Sequence, residues 1–195
     1  MISTEQIKEL RDLTGISVMQ CKKALEEAEG DKEKALAILR KKSGDIAAKK
    51  SDRELGAGVI ESYIHNTKSI GALVELSCET DFVARNEEFV TLARDIAMHV
   101  AASSPEFVDE SSITEELRVN AETTIKKEVE ESGEPLDIQA KMIEDKLSSY
   151  FVERTLLVQP FIKNPDITIK QLIDGGVQKF GEKIAVARFV RFALA

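Results

Sequence analysis

The sequence predicts an α+β fold, with an N-terminal three-helix module joined to a core of a small antiparallel sheet packed with helices. Three observations predict it. Capped apolar stripes at helical spacing fill the first 45 residues; two strand-like runs flank a polar turn at 66–69; and a last alternating run, 184–192, follows a long stretch of helical pattern. Strands segregated from helices give α+β rather than an alternating α/β order.

In the head, Ser3 and Gln6 make a capping-box pair, Ile7, Leu10 and Leu13 form a stripe, and Gly15 stops the first helix. Ser17 caps a second helix that turns Val18, Cys21, Leu25 and Ala28 inward and is stopped by Gly30. Asp31 caps a third, carrying Ala35, Leu36, Ile38 and Leu39 towards Gly44. The size of this module, and its Thr14-Gly15-Ile16 bend, resemble a ubiquitin-associated-type fold. Residues 1–45 are thus read as a ubiquitin-associated-like head, and 46–57, rich in Lys, Ala, Asp and Gly without an apolar stripe, as a linker.

The core, 58–195, opens with a hairpin: Val59–His65, the turn Asn66-Thr67-Lys68-Ser69, and Ile70–Cys78. In its second strand Ala72, Val74, Leu76 and Cys78 share one face. Phe89, Ala93, Ile96, Ala97 and Val100 then stripe a helix over Glu87–Ala102. Two further helices are expected over Glu115–Glu131, highly charged and projecting outward, and Asp137–Val158, separated by Gly133-Glu134-Pro135. Pro160 and Pro165 break the pattern, and a short helix restarts near Thr168 and Gln171. In the terminal strand Ile184, Val186, Val190 and Phe192 are expected on one face, with Ala185, Ala187 and Phe189 on the other.

Composition narrows the function. A chain that is 43% hydrophobic and 32% charged is a globular mixture, and no tract is apolar for the roughly 20 residues a membrane span needs. The start, Met1-Ile2-Ser3-Thr4-Glu5, has no leader pattern, so a cytoplasmic location is expected. Two distant cysteines, Cys21 and Cys78, fit reduced buried thiols better than a disulfide framework or zinc site. The net charge of −8 falls outside the first 55 residues, which hold 12 basic and 11 acidic side chains; 105–145 alone holds 13 acids and four bases. An acidic body argues against a dedicated nucleic-acid binder. The basic run Arg40-Lys41-Lys42 with Lys49-Lys50 and Arg53 reads as a solvated linker.

Catalytic equipment is sparse. Gly175-Gly176 and Gly181 lack phosphate-loop spacing, and neither His65 nor His99 sits at metal-ligand spacing, so no metal, no cofactor and no catalytic residue is expected. A Cys78 nucleophile with His65 as its base stays open as a minor reading, disfavoured because Glu79 and Asp81 would raise the thiol pKa.

The segment Glu75-Leu76-Ser77-Cys78-Glu79-Thr80-Asp81-Phe82-Val83-Ala84-Arg85-Asn86 ends a strand and drops an aromatic into the turn before a helix. Either Asp81 or Asn86 caps that helix while Phe82 staples it to the core, or Phe82 probes a partner. The segment closely resembles the Thr-Asp-Phe-Val signature of the elongation factor Ts family. Leu10-Arg11, Thr14-Gly15, Met19 and Cys21-Lys22-Lys23-Ala24-Leu25 are similar to the family's N-terminal signature, and Gln159-Pro160-Phe161 and Arg188-Phe189-Val190-Arg191-Phe192 extend the likeness along the chain.

The resemblance implies a guanine-nucleotide exchange factor, not an enzyme, that binds elongation factor Tu in its GDP-bound and nucleotide-free forms during translation elongation. It implies that Phe82 wedges beside the partner's magnesium site, with Thr80 and Asp81 fixing the loop and Val83 packing beneath. Val18, Met19, Lys22 and Lys23 of the head would grip the GTP-binding domain, and His65, at the hairpin tip, would touch a second domain. Ile16, Ser17 and Gln20 depart from the residues common in the family. Longer members carry two core subdomains and this chain has one, so a short-form homodimer is implied. The competing reading is an adaptor that uses the ubiquitin-associated-like head without exchange activity.

Overall fold

In the computed structural model, which describes residues 2–131, 133 and 135–194, Ser3 caps α1 (Thr4–Thr14) through the reciprocal bonds of a capping box with Gln6. The helix stops at Gly15, whose φ of 66° is left-handed and whose N–H donates to the Arg11 carbonyl. Ser17 opens α2 (Val18–Glu27), and Asp31 opens α3 (Lys32–Ala48) by accepting from the Lys34 N–H. Ile7, Leu10, Ile16, Cys21, Ala24, Leu25, Ala28, Ala35 and Leu39, from these helices and the turns between them, form one buried apolar cluster.

Three expectations for the head are corrected. Leu13 is exposed, because 7, 10 and 13 step three residues at a time and drift around a helix of 3.6 residues per turn. Thr14 takes the inward place, its hydroxyl donating to the Leu10 carbonyl at 2.7 Å. Val18 is also exposed rather than core. The third helix runs to Ala48, four residues past Gly44 and into the expected linker; Ser43 turns inward, its hydroxyl donating to the Leu39 carbonyl and lying against the Gln178 side chain.

The chain divides into two compact units, residues 1–101 with 170–195 and residues 102–169. In the first, β1 (Ala57–Ile64) and β2 (Ile70–Cys78) form the expected hairpin, and β5 (Ile184–Ala193) pairs with β2 on its other side, giving the antiparallel order β1-β2-β5. The inner face of β2 is Ala72, Val74, Leu76 and Cys78, all buried. A one-turn helix, α4 (Asp81–Ala84), precedes α5 (Glu87–Ser103), whose stripe Phe89, Ala93, Ile96, Ala97 and Val100 is buried as expected. α8 (Ile169–Phe180) meets α5 through an edge-to-face contact of Phe180 with Phe89, their centroids 5.8 Å apart.

The terminal strand departs from its expected alternation. Leu76 faces Val186 and Glu75 faces Arg188, so Ala187 is an extra residue, a β-bulge. Beyond it the faces exchange: Phe189 and Arg191 join Val74 and Ala72 on the inner face, while Val190 and Phe192 pair with Leu73 and Gly71 on the outer one. Ile184 and Val186 remain inside.

In the second unit, α6 (Glu115–Glu130) packs against α7 (Leu136–Arg154), and buries Ala121, Ile125 and Val129. Of the expected break Gly133-Glu134-Pro135, Glu134 lies outside the described residues. α7 stops at Arg154, short of Val158, where Thr155 turns extended and a 3-10 turn follows. A small hairpin of β3 (Pro160–Phe161) and β4 (Asn164–Thr168), unforeseen in the sequence, occupies the proline-broken stretch. Among the described residues no helix is long and apolar enough to cross a membrane.

Gly58 sits where β1 crosses the Leu76-Ser77 backbone; a Cβ there would lie 2.5 Å from the Leu76 carbonyl oxygen and 2.9 Å from the Ser77 Cα. Gly58→Ala should therefore part the hairpin at a cost of about 1–3 kcal/mol. At this chain length each kcal/mol moves the melting temperature by roughly 2–4 °C. A calorimetric melting temperature equal to wild type would show that the strands absorb the methyl group without strain.

Candidate functional site

The turn that links β2 to α5 is built from both ends. Thr80, in extended backbone, caps α4: its hydroxyl oxygen accepts from the Val83 N–H at 3.4 Å. Asn86 then opens α5, its side-chain oxygen accepting from the Glu88 N–H at 2.9 Å. Of the two capping candidates it is thus Asn86 that caps, whereas Asp81 lies in the first turn of α4 and pairs with Arg85 at 2.9 Å on the surface.

Between these anchors Phe82 is 83% exposed, with Val83 and Ala84 buried below it. This overturns the staple reading of Phe82. In a helix successive side chains point about 100° apart, so seating Val83 against the sheet sends its neighbour outward. An aromatic ring left in water beside two buried apolar neighbours is a surface suited to a partner rather than to the chain's own core.

A second layer holds the turn. The Glu182 carboxylate accepts from the N–H groups of Glu79 at 3.1 Å and Thr80 at 3.0 Å, and from the Thr80 hydroxyl at 2.6 Å. Glu79 reciprocates by accepting from the Lys183 N–H at 2.6 Å, while its two oxygens receive Arg53 at 3.1 and 3.2 Å. The Lys183 N–H, with Arg53 beside it, holds the Glu79 carboxyl below the usual carboxylate range. Lys183 donates onward to the carbonyls of Ser51 and Arg53, and Lys50 to that of Gly181. Gly181, at φ 74°, makes the reversal that brings these groups round. Glu182 and Lys183 have no role in the sequence reading, because no local period relates Thr80 to a residue 102 positions away, and Arg53, expected in a solvated linker, is instead held by Glu79.

The head candidates lie around the turn between α1 and α2. Val18 and Met19 are exposed, 48% and 65%, as is Leu13, which the sequence had assigned to the core. Lys22 pairs with Glu26 at 3.8 Å. Lys23 lines a shallow groove of about 320 Å³ with Gln20, Lys42, Asp45, Ile46, Lys49 and Gln178. His65 is exposed beyond the end of β1, its Nδ1 3.2 Å from the Tyr63 hydroxyl.

The thiol reading fails on geometry. Cys78 pairs with Ala57 at one end of the hairpin and His65 follows Ile64 at the other, eight strand positions or about 26 Å away. Burial, then the nearby Glu182 charge, pushes the Cys78 thiol above its ordinary value, and its Sγ lies 3.2 Å from the Thr80 carbonyl it donates to. Burial likewise raises Cys21. Both thiols are buried and unpaired with each other.

The family model for elongation factor Ts matches residues 22–195. Among curated relatives, the elongation factor Ts of Thermodesulfovibrio yellowstonii is 50% identical over 191 residues, spanning 98% of this chain and 95% of its own length. That of Carboxydothermus hydrogenoformans is 48% identical over 194 residues, all of this chain and 89% of the relative. That of Thermosipho melanesiensis is 47% identical, with 100% and 99% covered.

Proposed function

The chain belongs to the elongation factor Ts family, and from that membership we propose that it is the translation factor that binds elongation factor Tu and promotes release of GDP from it. The observation that carries the reading is Phe82, an 83% exposed aromatic on a one-turn helix that Thr80 caps and that buried Val83 and Ala84 seat. A GTPase holds GDP through backbone N–H groups around the phosphates and a magnesium ion. A ring driven between helices beside that ion moves its ligands without making or breaking a bond.

Linkage gives the scale. A factor that favours the empty form by about 4 kcal/mol lowers nucleotide affinity about a thousandfold, through the same coupling energy. In this reading Thr80 and Asp81 shape the turn, Val83 supports it, and Leu13, Val18, Met19, Lys22 and Lys23 grip the GTP-binding domain, with His65 reaching a second domain. The site acts as a binding surface with no catalytic residue, cofactor or metal of its own, and a cytoplasmic location suits it.

Phe82→Ala should reduce GDP release from elongation factor Tu severely, since truncating a central aromatic costs about 2 kcal/mol or more in binding. Its melting temperature should stay near wild type, as an exposed ring contributes little to the fold. Release of fluorescent GDP measures the first and calorimetry the second; a variant that melts several degrees lower and exchanges normally would return Phe82 to the core. Asp81→Ala should be milder, because its partner Arg85 is a surface one.

Residues 1–45 form a head and 58–195 a core in this proposal, joined by the segment 46–57. The buried apolar cluster of α1 to α3 and their turns supports that division. The fragment 56–195 is expected to fold alone and to bind elongation factor Tu weakly, having lost one of two linked contacts. Equal affinity of the fragment and the whole chain in titration calorimetry would remove the gripping role of Val18, Met19 and Lys22.

A homodimer supplies the second subdomain that longer members carry in one chain. The outer face of the sheet favours it: Ile64 of β1, Leu73 of β2 and Val190 and Phe192 of β5 are exposed and neighbours by register, and exposed Ile60 lies beyond them in the row that holds the Glu75–Arg188 ion pair. Because of the bulge, the disrupting substitution is Phe192→Glu and not Phe189→Glu. Light scattering at micromolar concentration should report about twice 21.6 kDa for the wild type and one chain for the variant. A wild-type mass of one chain would exclude the dimer.

A further inference from the structure

We propose that Glu182 is the positioning residue of the exchange turn, setting the direction of Phe82 through the backbone it holds. The proposal rests on the reading of Phe82 as the group that disturbs the partner's nucleotide site. A side chain that is 83% exposed has too little packing to fix its own direction. Its aim is the aim of the short helix Asp81–Ala84, and that helix is held from below by buried Val83 and Ala84 and at its start by Thr80. A surface pair such as Asp81 with Arg85 adds little.

Thr80 in turn is fixed by one carboxylate. Both oxygens of Glu182 are engaged, Oε2 by the N–H groups of Glu79 and Thr80 and Oε1 by the Thr80 hydroxyl at 2.6 Å. An ionised carboxylate only accepts, so the hydroxyl hydrogen is committed to Glu182 and its lone pairs face the Val83 N–H, which donates to them. The direction of every bond is therefore determined, and with it the rotamer of Thr80 and the entry angle of α4. Three donors on one carboxylate are charge-assisted bonds, the stronger kind.

The same reversal carries a second tether. Lys183, the next residue, donates its backbone N–H to Glu79 and its ammonium group to the carbonyls of Ser51 and Arg53. The stretch that follows the head and the turn that bears Phe82 thus share one support, Gly181-Glu182-Lys183. Exchange needs the ring to arrive in a set direction after the head has gripped, and this support supplies that direction.

The test measures fluorescent-GDP release from elongation factor Tu as a function of factor concentration. Glu182→Ala should lower the saturated release rate about tenfold, the scale of losing hydrogen bonds to a charged group. The half-saturating concentration should stay within about twofold and the melting temperature should fall by no more than several degrees, leaving the factor folded at the assay temperature, whereas a merely structural role would lower the melting temperature and leave the saturated rate of the folded protein unchanged. Glu182→Gln, which keeps one acceptor oxygen, should recover part of the rate. Thr80→Val should match Glu182→Ala, the double variant should be no worse than either, and Thr80→Ser should recover part of what Thr80→Val loses. A wild-type saturated rate for Glu182→Ala, or additive losses in the double variant, overturns the proposal. Phe82→Ala run alongside separates the two readings. If it exchanges normally the displacing role of Phe82 falls; if it fails while Glu182→Ala does not, only the positioning role falls.

Discussion

The pairing of β2 with β5 sets the geometry on which the exposed turn depends. β2 is the central strand, bonded to β1 on one side and β5 on the other, and its last pair is Cys78 with Ile184. That register brings Lys183 and Glu182, the residues just before Ile184, against Glu79 and Thr80, just after Cys78. A slip of one residue would exchange the faces of the strand and separate the carboxylate from its three donors. Buried Val74, Leu76, Ile184 and Val186 resist that slip, so the apolar face of the sheet is what keeps a polar turn in place.

The exposed ring and the buried residues beside it are two aspects of one local choice. α4 is four residues long, too short to be stable by itself, and it persists because Thr80 caps it and Val83 and Ala84 dock on the sheet. A segment with so few independent contacts leaves its outward residue free of the fold's own packing. The family to which the chain belongs acts in translation elongation, and an outward aromatic held ready-made by its neighbours, rather than ordered on contact, is one that binding any partner would not have to order.

Local patterns made much of this legible in the sequence. The capping box at Ser3, the glycine stop at Gly15, the inner face of β2 and the stripe of α5 all depend on neighbours within a few positions, and each is found as expected. What escaped depended on distant partners. The stripe assigned to Leu13 ignored the drift of three-residue steps, and Thr14 holds the inward place instead. The bulge at Ala187 follows from how β5 fits β2, which no alternation within β5 reveals. The support under Thr80 joins residues a hundred positions apart, and its only local sign was a glycine followed by a Glu-Lys pair at the entrance of a strand.

The bulge has a consequence for how the sequence can change. Ala187 stands outside the pairing, with Val186 opposite Leu76 and Arg188 opposite Glu75, so the two halves of β5 are phased by a single inserted residue. Losing that residue would leave every pair in place, since Val186, Arg188 and Phe189 would then alternate regularly and Val190 and Phe192 would stay outward. Flattening the bulge with Ala187 kept would instead send Val190 and Phe192 inward and Phe189 and Arg191 outward. The outer surface of the sheet is consequently encoded by where the bulge sits as much as by residue type, and Ala187 is the place in β5 where the chain can shorten at least cost to it.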